Sequence, residues 1–462
     1  EMGLPISIEE RTGDTPVHKR QRQKLAPPDI LLTTPEQLAL LIATPGAERF
    51  FSSLRYVIFD ELHSLVTSKR GHLLSLGLAR LRRLRPGIQT IGLSATVSEP
   101  KDLQRWLVSQ NPAGHMSDLI TVSGGAKPEI SILESEERVP WAGHTSRYAY
   151  PEIYQAIRRH RTTLLFVNTR SQAEMLFQEL WRINEDSLPI ALHHGSLDVG
   201  QRRRVEAAMT RGDLRAVVCT STLDLGIDWG DVDLVIQLGA PKGSSRLVQR
   251  IGRANHRLDE PSRAILVPNN RFETLECRAA KDAVEEGALD GAMSKKGSLD
   301  VLAQHILGCA CGEPFNADNL YAEVTRAYPF RDLSREDFDR ALDVVATGGY
   351  ALRNYERYRR IIEGKDLLWR PRDARVQQQH RLNVGTIIEA PLLDVRLVRR
   401  MGARARGTTR TVAKRAQQTQ GPMQPGRKLG QIEEYFIETL SPGDTFLFAG
   451  QVLRFEGVAE TD

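Results

Sequence analysis

The chain has 462 residues, of which 40% are hydrophobic and 26% are charged, and its net charge is +5. A chain of this length has room for about three domains. No apolar run reaches the roughly 18 residues of a membrane span, and the first residues lack a signal-peptide pattern, so neither a membrane protein nor a secreted one is expected. The mild positive charge permits a polyanionic partner but does not require one.

The four cysteines do not form a recognisable metal motif. Cys309 and Cys311 are separated by one residue, which is the wrong spacing for a zinc knuckle, and no second pair completes four ligands. We therefore expect reduced thiols in a cytoplasmic protein.

The first part of the chain alternates short apolar runs with helical patterns. Strand-like runs lie at residues 30–32, 56–59 and 90–93, and helical spacing lies at residues 37–42 and 71–84. The alternation predicts βαβ units around a parallel sheet over residues 1–133. Because residues 5–8 already read as a strand, this domain is expected to be truncated at its N-terminus. Residues 134–148 are polar and predict a linker.

The same alternation resumes after the linker and predicts a second α/β domain over residues 149–292. Its strand-like runs lie at residues 163–167, 216–219, 234–236 and 264–267. Its helical patterns lie at residues 171–183, 200–211 and 244–251. Two linked α/β domains favour a ligand cleft at the carboxyl ends of their strands.

Two further domains are predicted after residue 292. Helical patterns at residues 299–307, 317–327 and 335–346, followed by the basic, Tyr-rich residues 355–362, fit a winged helix over residues 293–365, although a plain helical bundle fits nearly as well. Runs at residues 383–390 and 444–455 indicate a β-rich domain over residues 366–462, which is also expected to be incomplete.

An acidic pair directly follows a predicted strand. Asp60 and Glu61 would stand at the carboxyl end of the strand, where one carboxylate holds nucleotide-bound Mg²⁺ through a water and the other activates the attacking water. Taken alone, the pair is equally consistent with a solvated turn. Ser94 and Thr96 end another predicted strand, and residues 249–253 of the second domain include two arginines with the chemistry of an arginine finger.

Eight elements in order resemble the motifs of superfamily 2 helicases. Residues 11–14, 34–38, 60–63 and 94–96 are similar to motifs Ib, Ic, II and III, and residues 166–170, 194–196, 220–228 and 249–253 are similar to the later motifs. Residues 69–72, 225–228, 249–256, 298–304, 379–386 and 428–457 resemble the large helicase-related (Lhr) family, and most of all its bacterial branch often associated with DNA ligase genes.

The resemblance implies a fold of two RecA-like parallel-sheet domains, a winged helix and a β-rich domain. It implies that Asp60 holds Mg²⁺ through water, that Glu61 is the general base, and that His63, Ser94 and Thr96 couple ATP hydrolysis to domain motion. From the second domain, Gly226 and Asp228 would face the nucleotide, with Gln249, Arg250 and Arg253 beside the γ-phosphate. His256 stands where many relatives carry a second finger arginine, and Asn255 replaces a more usual glycine.

A set of strand-end residues is predicted to contact nucleic-acid backbone. Its members are Arg11, Thr34, Glu36, Thr169, Arg170, His194 and Thr220. Each of them is, taken singly, an ordinary polar group at a strand end. Trp369 is predicted to stack on a base or, alternatively, to belong to a core. Residues 396–428 carry ten Lys or Arg and no acid, which fits a solvated loop or an arm on the DNA path.

The leading hypothesis is an ATP-dependent DNA translocase and helicase of DNA repair. From the resemblance, it would move 3′-to-5′ on single-stranded DNA, unwind DNA or RNA–DNA duplexes, and be associated with a DNA ligase or nuclease repair system. No Gly-x-x-x-x-Gly-Lys-Ser/Thr occurs in the sequence, so these 462 residues alone are expected to have little ATPase activity. An RNA helicase and a non-catalytic nucleic-acid-binding remnant are the alternatives.

Overall fold

The computed structural model describes most of the chain. The described residues are 6–94, 100–111, 114–121, 126–224, 232–254, 260–288, 296–350, 352–382, 384, 392–397, 426–433, 436–437 and 439–458. They form two compact units, each assembled from two separate stretches of sequence. Unit 1 combines Glu1–Val122 with Asp290–Ile388, and unit 2 combines Ser123–Leu289 with Glu389–Asp462.

The first stretch of unit 1 contains two parallel strand pairs with helices between the strands. The pairs are β1 (Ile8–Arg11) with β2 (Ile30–Thr33) and β3 (Tyr56–Phe59) with β4 (Gln89–Gly92). The helices are α1 (Val17–Leu25), α2 (Pro35–Ile42), α3 (Ala47–Phe50), α4 (Leu62–Val66), α5 (Lys69–Leu84) and α6 (Pro100–Trp106).

Both strand pairs keep an apolar face open to solvent. Alternate residues along the strands and just beyond β4 share this exposure, between 42% and 61%: Ile8, Ile30, Leu32, Tyr56, Ile58, Ile91 and Leu93. Successive side chains of a strand point to opposite faces, and the large aliphatic residues here stand on the uncovered one. Strands of α/β proteins normally have both faces covered.

Helix α5 is buried from Gly71 to Leu81 because two cores share it. The side chain of Ser68 caps its first turn by accepting a hydrogen bond from the backbone N–H of Gly71 at 3.1 Å. Leu74, Leu78 and Leu81 pack in the α/β core with helix α2 and strand β3. Leu73, Leu76 and Ala79 belong to the core of the second stretch.

The second stretch of unit 1 is a winged helix. Its elements are α12 (Leu299–Gly312), α13 (Ala317–Val324), α14 (Arg335–Thr347), β11 (Ile361–Glu363), β12 (Trp369–Pro371) and α15 (Ala374–Leu382). Strands β11 and β12 pair antiparallel as the hairpin. Arg80 of α5 and Glu323 of α13 form a buried ion pair at 2.9 Å, which fixes this stretch to the first.

Unit 2 is built on a six-stranded, all-parallel sheet. Its strands are β5 (Glu129–Ile132), β6 (Thr163–Phe166), β7 (Ile190–His193), β8 (Ala216–Cys219), β9 (Leu234–Leu238) and β10 (Arg263–Val267), in the order β5-β10-β9-β6-β8-β7. Every residue of β6, β8 and β9 is buried, as expected for strands covered on both faces. The covering helices are α7 (Tyr150–Arg159), α8 (Arg170–Arg182), α9 (Val199–Thr210), α10 (Ser244–Ile251) and α11 (Arg271–Glu285).

Two antiparallel hairpins complete unit 2. Strand β13 (Leu392–Arg396) pairs with β14 (Lys428–Glu433), and β15 (Thr445–Phe448) pairs with β16 (Gln451–Arg454). Ala449 and Gly450 connect the second pair with φ values of +54° and +72°, the positive φ at both positions that a two-residue type I′ turn requires.

The predicted fold class is confirmed: the chain combines parallel-sheet α/β domains with a winged helix and small antiparallel sheets. One boundary differs from the prediction. Residues 129–132, assigned from sequence to the first domain, form the edge strand β5 of unit 2 because they pair with β10. Among the described residues, no helix combines the length and apolar character needed to cross a bilayer.

Candidate nucleotide and nucleic-acid site

The acidic pair stands at the carboxyl end of β3, as the sequence predicted. Glu61 begins helix α4 in the left-handed region, with φ 49° and ψ 42°, and its backbone N–H donates to Oδ1 of Asp60 at 2.9 Å. A non-glycine residue in this region costs of order 1 kcal/mol and is common at functional sites. The two carboxylates offer the hard oxygen donors that Mg²⁺ prefers, so the residues fit such an ion.

His63 joins the acidic pair to the neighbouring strand. Its Nδ1 lies 3.1 Å from Oγ of Ser94, just beyond β4, and its Nε2 lies 3.5 Å from Oε2 of Glu61. Burial lowers the pKa of His63, against the opposing effect of the Glu61 and Asp60 carboxylates. A change at Glu61 can therefore reach Ser94 through one imidazole. Thr96, the other predicted coupling residue, lies outside the described residues.

A second polar cluster, deeper in unit 1, is structural. The candidate ligand atoms of His305, Cys309 and Glu323 lie within 4.8 Å of one another. However, Glu323 already pairs with Arg80 at 2.9 Å and with Arg83 at 3.0 Å. Burial also raises the pKa of the Cys309 thiol to about 12, which disfavours the thiolate that a metal needs. We therefore assign this cluster to the junction of α5 with the winged helix.

Arg250, which its motif predicts to lie beside the γ-phosphate, is engaged in contacts inside unit 2. Its side chain is buried, and its Nε donates to Oδ1 of Asp224 at 2.8 Å while Nη1 donates to Oε1 of Gln237 at 2.5 Å. The guanidinium also lies over the ring of Phe166, 4.7 Å from its centroid. It ties helix α10 to the strand ends of the sheet.

The other motif residues on and after α10 lie nearer the surface. Gln249 and Arg253 are partly exposed, and Nε of Arg253 approaches the carbonyl oxygen of Gln249 at 3.4 Å. The geometry leaves Arg253 as the finger candidate from unit 2. Gly226, Asp228, Asn255 and His256 lie outside the described residues.

The predicted nucleic-acid residues of unit 1 are held by local contacts. Arg11 is buried, and its Nη1 donates to the carbonyl oxygen of Arg20 and to Oε1 of Gln23. The Thr34 hydroxyl caps helix α2. Glu36 accepts two hydrogen bonds from Arg70, at 2.6 and 3.1 Å. These side chains shape the strand ends, so contact with a phosphate there would use backbone N–H groups or other side chains.

In unit 2, four predicted residues follow strands β6, β7 and β8. Thr169 forms a capping box with Gln172 at the start of α8. Thr220 donates its backbone N–H to the carbonyl oxygen of His193, at 3.3 Å. His194 is buried, and Arg170 is largely covered, with its guanidinium 5.2 Å from the ring centroid of Phe436. The structure thus does not present the His194 side chain to a ligand.

Glu174 explains this burial, and sequence reasoning missed it. Its fully buried carboxylate accepts from Nε2 of His194 at 2.9 Å and from the backbone N–H groups of Ala449 and Gly450 at 2.6 and 2.7 Å. The turn between β15 and β16 therefore rests on helix α8. The sequence feature that could have indicated this contact is the acidic residue on the apolar face of the helix, between Ala173 and Leu176.

Trp369 is half-buried in the winged helix. Its backbone pairs with Phe315, and its ring packs against the winged-helix core. This placement agrees with the core alternative stated for it. Of the basic stretch at residues 396–428, residues 398–425 lie outside the described part of the chain.

Fold, motif order and the cluster on β3 and β4 define the core of a superfamily 2 helicase. Three family models match the chain: a DEAD/DEAH box helicase model over residues 2–103, a helicase conserved C-terminal domain model over residues 149–257, and the winged helix domain of large helicase-related protein over residues 282–462.

The chain belongs to the Lhr family. It is 34% identical to an ATP-dependent helicase Lhr-Core of Methanocaldococcus jannaschii over 98% of its own length, and 34% identical to the Lhr helicase/uracil glycosylase of Escherichia coli over 78%. It is also similar to the structure of Mycobacterium smegmatis Lhr bound to ssDNA and AMP-PNP, with a TM-score of 0.73, 34% identity and 83% coverage. The chain spans half of the M. jannaschii and M. smegmatis chains and 26% of the E. coli one.

Proposed function

We propose that this chain is part of the motor of an ATP-dependent helicase that translocates on nucleic acid. The observation that carries the proposal is the connected group Asp60, Glu61, His63 and Ser94 at the carboxyl ends of two adjacent parallel strands. In this proposal Glu61 takes the proton of the water that attacks the γ-phosphate of ATP, and Arg253 stabilises the developing charge from unit 2.

Magnesium is part of the proposal. Mg²⁺ would neutralise the phosphate oxygens, and Asp60 would hold it through a water, because its carboxylate is exposed at the strand end. The His63 imidazole, which contacts both Glu61 and Ser94, would transmit the effect of a change in the charge of Glu61 to Ser94. These 462 residues contain no phosphate-binding loop motif, so the proposal assigns that loop to another part of the helicase.

The nucleic-acid substrate is proposed to be DNA. The support is the likeness to M. smegmatis Lhr, whose structure contains ssDNA. We further propose that the helicase moves in the 3′-to-5′ direction and unwinds DNA or RNA–DNA duplexes. The proposal also includes a role in DNA repair and association with a ligase or nuclease. A reducing, cytoplasmic location agrees with four buried cysteines, all of them free thiols.

The proposal is tested in the longer protein that includes this chain. The Glu61→Gln variant should lower kcat for ATP hydrolysis by about 10²- to 10⁴-fold, the usual worth of a general base, while nucleotide binding is retained. The Glu48→Gln variant, at an exposed carboxylate on α3, is the matched control and should keep full activity.

Three measurements decide between the alternatives. Stimulation of ATPase activity by single-stranded DNA but not RNA supports a DNA motor, and the reverse supports an RNA helicase. Strand displacement on 3′- and 5′-tailed duplexes tests the direction. An unchanged turnover in Glu61→Gln would reject the site, and a parent protein without any ATPase activity would favour a binding remnant.

A further inference from the structure

A sharply defined turn follows the third helix of the winged helix. Gly348 and Gly349 end α14 with φ values of +82° and +83°. We call residues 349–360 the Tyr–Arg turn; all of them except residue 351 are described. Its far end is fixed by a hydrogen bond from the backbone N–H of Arg360 to the carbonyl oxygen of Val345, at 3.3 Å. Tyr358 packs closely on Gly348: a Cβ added to Gly348 would lie 2.8 Å from the Cβ of Tyr358.

The turn presents aromatic rings to solvent. Tyr350 is 97% exposed and Tyr355 is 56% exposed. Tyr355 packs edge-on against Tyr358, with ring centroids 6.3 Å apart. The guanidinium of Arg357 lies 5.7 Å from the Tyr355 centroid and 4.8 Å from the Tyr358 centroid. Rings and a cation thus form one surface.

The charge of this surface is positive while that of the neighbouring helix is negative. The turn carries four exposed arginines and one acid: Arg353, Arg357, Arg359, Arg360 and Glu356. Helix α14 carries four acids and two arginines: Glu336, Asp337, Asp339, Asp343, Arg335 and Arg340. Helix-turn-helix proteins insert this helix into the major groove of DNA, but here its acids would be repelled by phosphates. The turn is the part of the winged helix that suits a polyanion.

We propose that the Tyr–Arg turn binds single-stranded nucleic acid without sequence preference. Bases stack on Tyr350 and Tyr355, and Arg357 and Arg359 neutralise the adjacent phosphates. Every base has a π-face, so exposed aromatic rings beside cations bind any sequence. A duplex hides those faces inside its stack, which is why the proposal is for a single strand. It rests on the proposed function for the presence of nucleic acid.

The test measures binding of the 462-residue chain to a labelled single-stranded oligonucleotide that contains 2-aminopurine. The double variant Tyr350→Ala/Tyr355→Ala should lose about 5- to 150-fold in affinity for each base that no longer stacks, corresponding to roughly 1–3 kcal/mol per base. Tyr350→Phe/Tyr355→Phe should retain it because the rings remain. Arg357→Gln/Arg359→Gln should lower the slope of log K against log salt concentration by about 1.4, at ~0.7 per phosphate contact.

The matched control is Trp181→Ala/Arg182→Gln, an exposed aromatic–arginine pair on helix α8 that should leave affinity and slope unchanged. If wild type binds and the alanine variant equals this control, the Tyr–Arg turn proposal is rejected while the proposed function stands. If wild type binds neither DNA nor RNA single strands, the Tyr–Arg turn proposal is rejected, and the proposed function is still decided by the ATPase test on the longer protein. Affinity loss in the alanine variant without quenching of 2-aminopurine in the wild-type complex would reject base stacking.

Discussion

Two arginines of one motif, three residues apart in sequence, have different surroundings in unit 2. Arg250 is enclosed by Asp224, Gln237 and Phe166, whereas Arg253 is partly exposed. A buried guanidinium that balances a buried carboxylate holds the fold, because removing it weakens the counter-charge of the acid; Asp224 would keep only the partly exposed Arg246. Arg253 therefore stays the proposed finger, and Arg250 is assigned a role in holding the fold.

Replacement of the two arginines should therefore have different consequences. Arg250→Ala should lower the free energy of unfolding of the chain by about 3 kcal/mol, the lower end for a broken buried ion pair, since Asp224 would keep only the partly exposed Arg246, 3.5 Å away. Arg253→Ala should change it by less than about 1 kcal/mol. Urea unfolding followed by circular dichroism checks both values, and equal midpoints for the two variants would contradict the assignment.

Two buried histidines of unit 1 should make stability depend on pH. Burial, helped by Arg80, lowers the pKa of His305 to about 3, and burial together with Arg360 and Arg381 lowers that of His380 to about 4. Below pH 6.5 the unfolded chain binds these protons and the folded chain does not. The contribution of the two histidines to the free energy of unfolding is therefore fully present above pH 6.5. It is lost as the pH drops towards 4 and then 3.

The expected slope is about 1.4 kcal/mol per pH unit for each histidine. Unfolding midpoints of wild type and His380→Gln, measured between pH 7 and pH 4, check this. The variant should lose roughly half of the dependence, and His18→Gln, at an exposed position, should lose none of it. A profile that is the same in all three proteins would count against the argument.

At the scale of elements, the hairpin β15–β16 and helix α8 act as one structure. The carboxylate of Glu174 lies between them and accepts both turn N–H groups as well as the His194 imidazole. Gly450 is required at the turn, because an added Cβ would lie 2.7 Å from the ring of Phe177. The hairpin thereby covers the helicase motif residues that begin α8 and follow β7.

Glu174→Gln should loosen the hairpin. The amide NH₂ of the glutamine would face a backbone N–H group of the turn, so one hydrogen bond to a buried charged group would be lost. The expected decrease in the free energy of unfolding is at least about 2 kcal/mol. Hydrogen exchange at residues 445–454 should become faster. Glu179→Gln on the same helix, whose carboxylate is paired with Arg182 at the surface, should leave the exchange unchanged; equal protection in both variants would refute the role of Glu174.

Elements were predictable where the signal is local. The strand at residues 56–59 and the helix at residues 244–251 have the bounds expected from apolar periodicity, and the acidic pair follows its strand as predicted. The surroundings of His194 were not predictable, because the turn that covers it lies more than 250 residues later in the chain. The boundary at residue 133 was wrong because strand pairing, which periodicity does not report, places β5 in the second sheet.

At the scale of the molecule, each unit is discontinuous in sequence, and unit 1 keeps apolar strand faces uncovered. Exposed apolar faces of this kind adhere to other apolar surfaces in water. The 462-residue chain should therefore bind the dye ANS and self-associate at micromolar concentration. Leu32→Lys/Ile58→Lys should reduce both effects in light scattering, whereas Val452→Lys, at an exposed apolar residue of unit 2, should not. A monodisperse wild-type chain without dye binding would contradict this.

Helix α5 limits how the molecule can be recombined. Leu74 and Leu78 pack in one core, and Leu73 and Leu76 pack in the other. The buried part of the helix must therefore fit two neighbours at once. A chimaera that takes its winged helix from a relative would meet side chains selected for a different partner. Such a graft needs the relative's α5 sequence as well, although that helix lies more than 200 residues upstream.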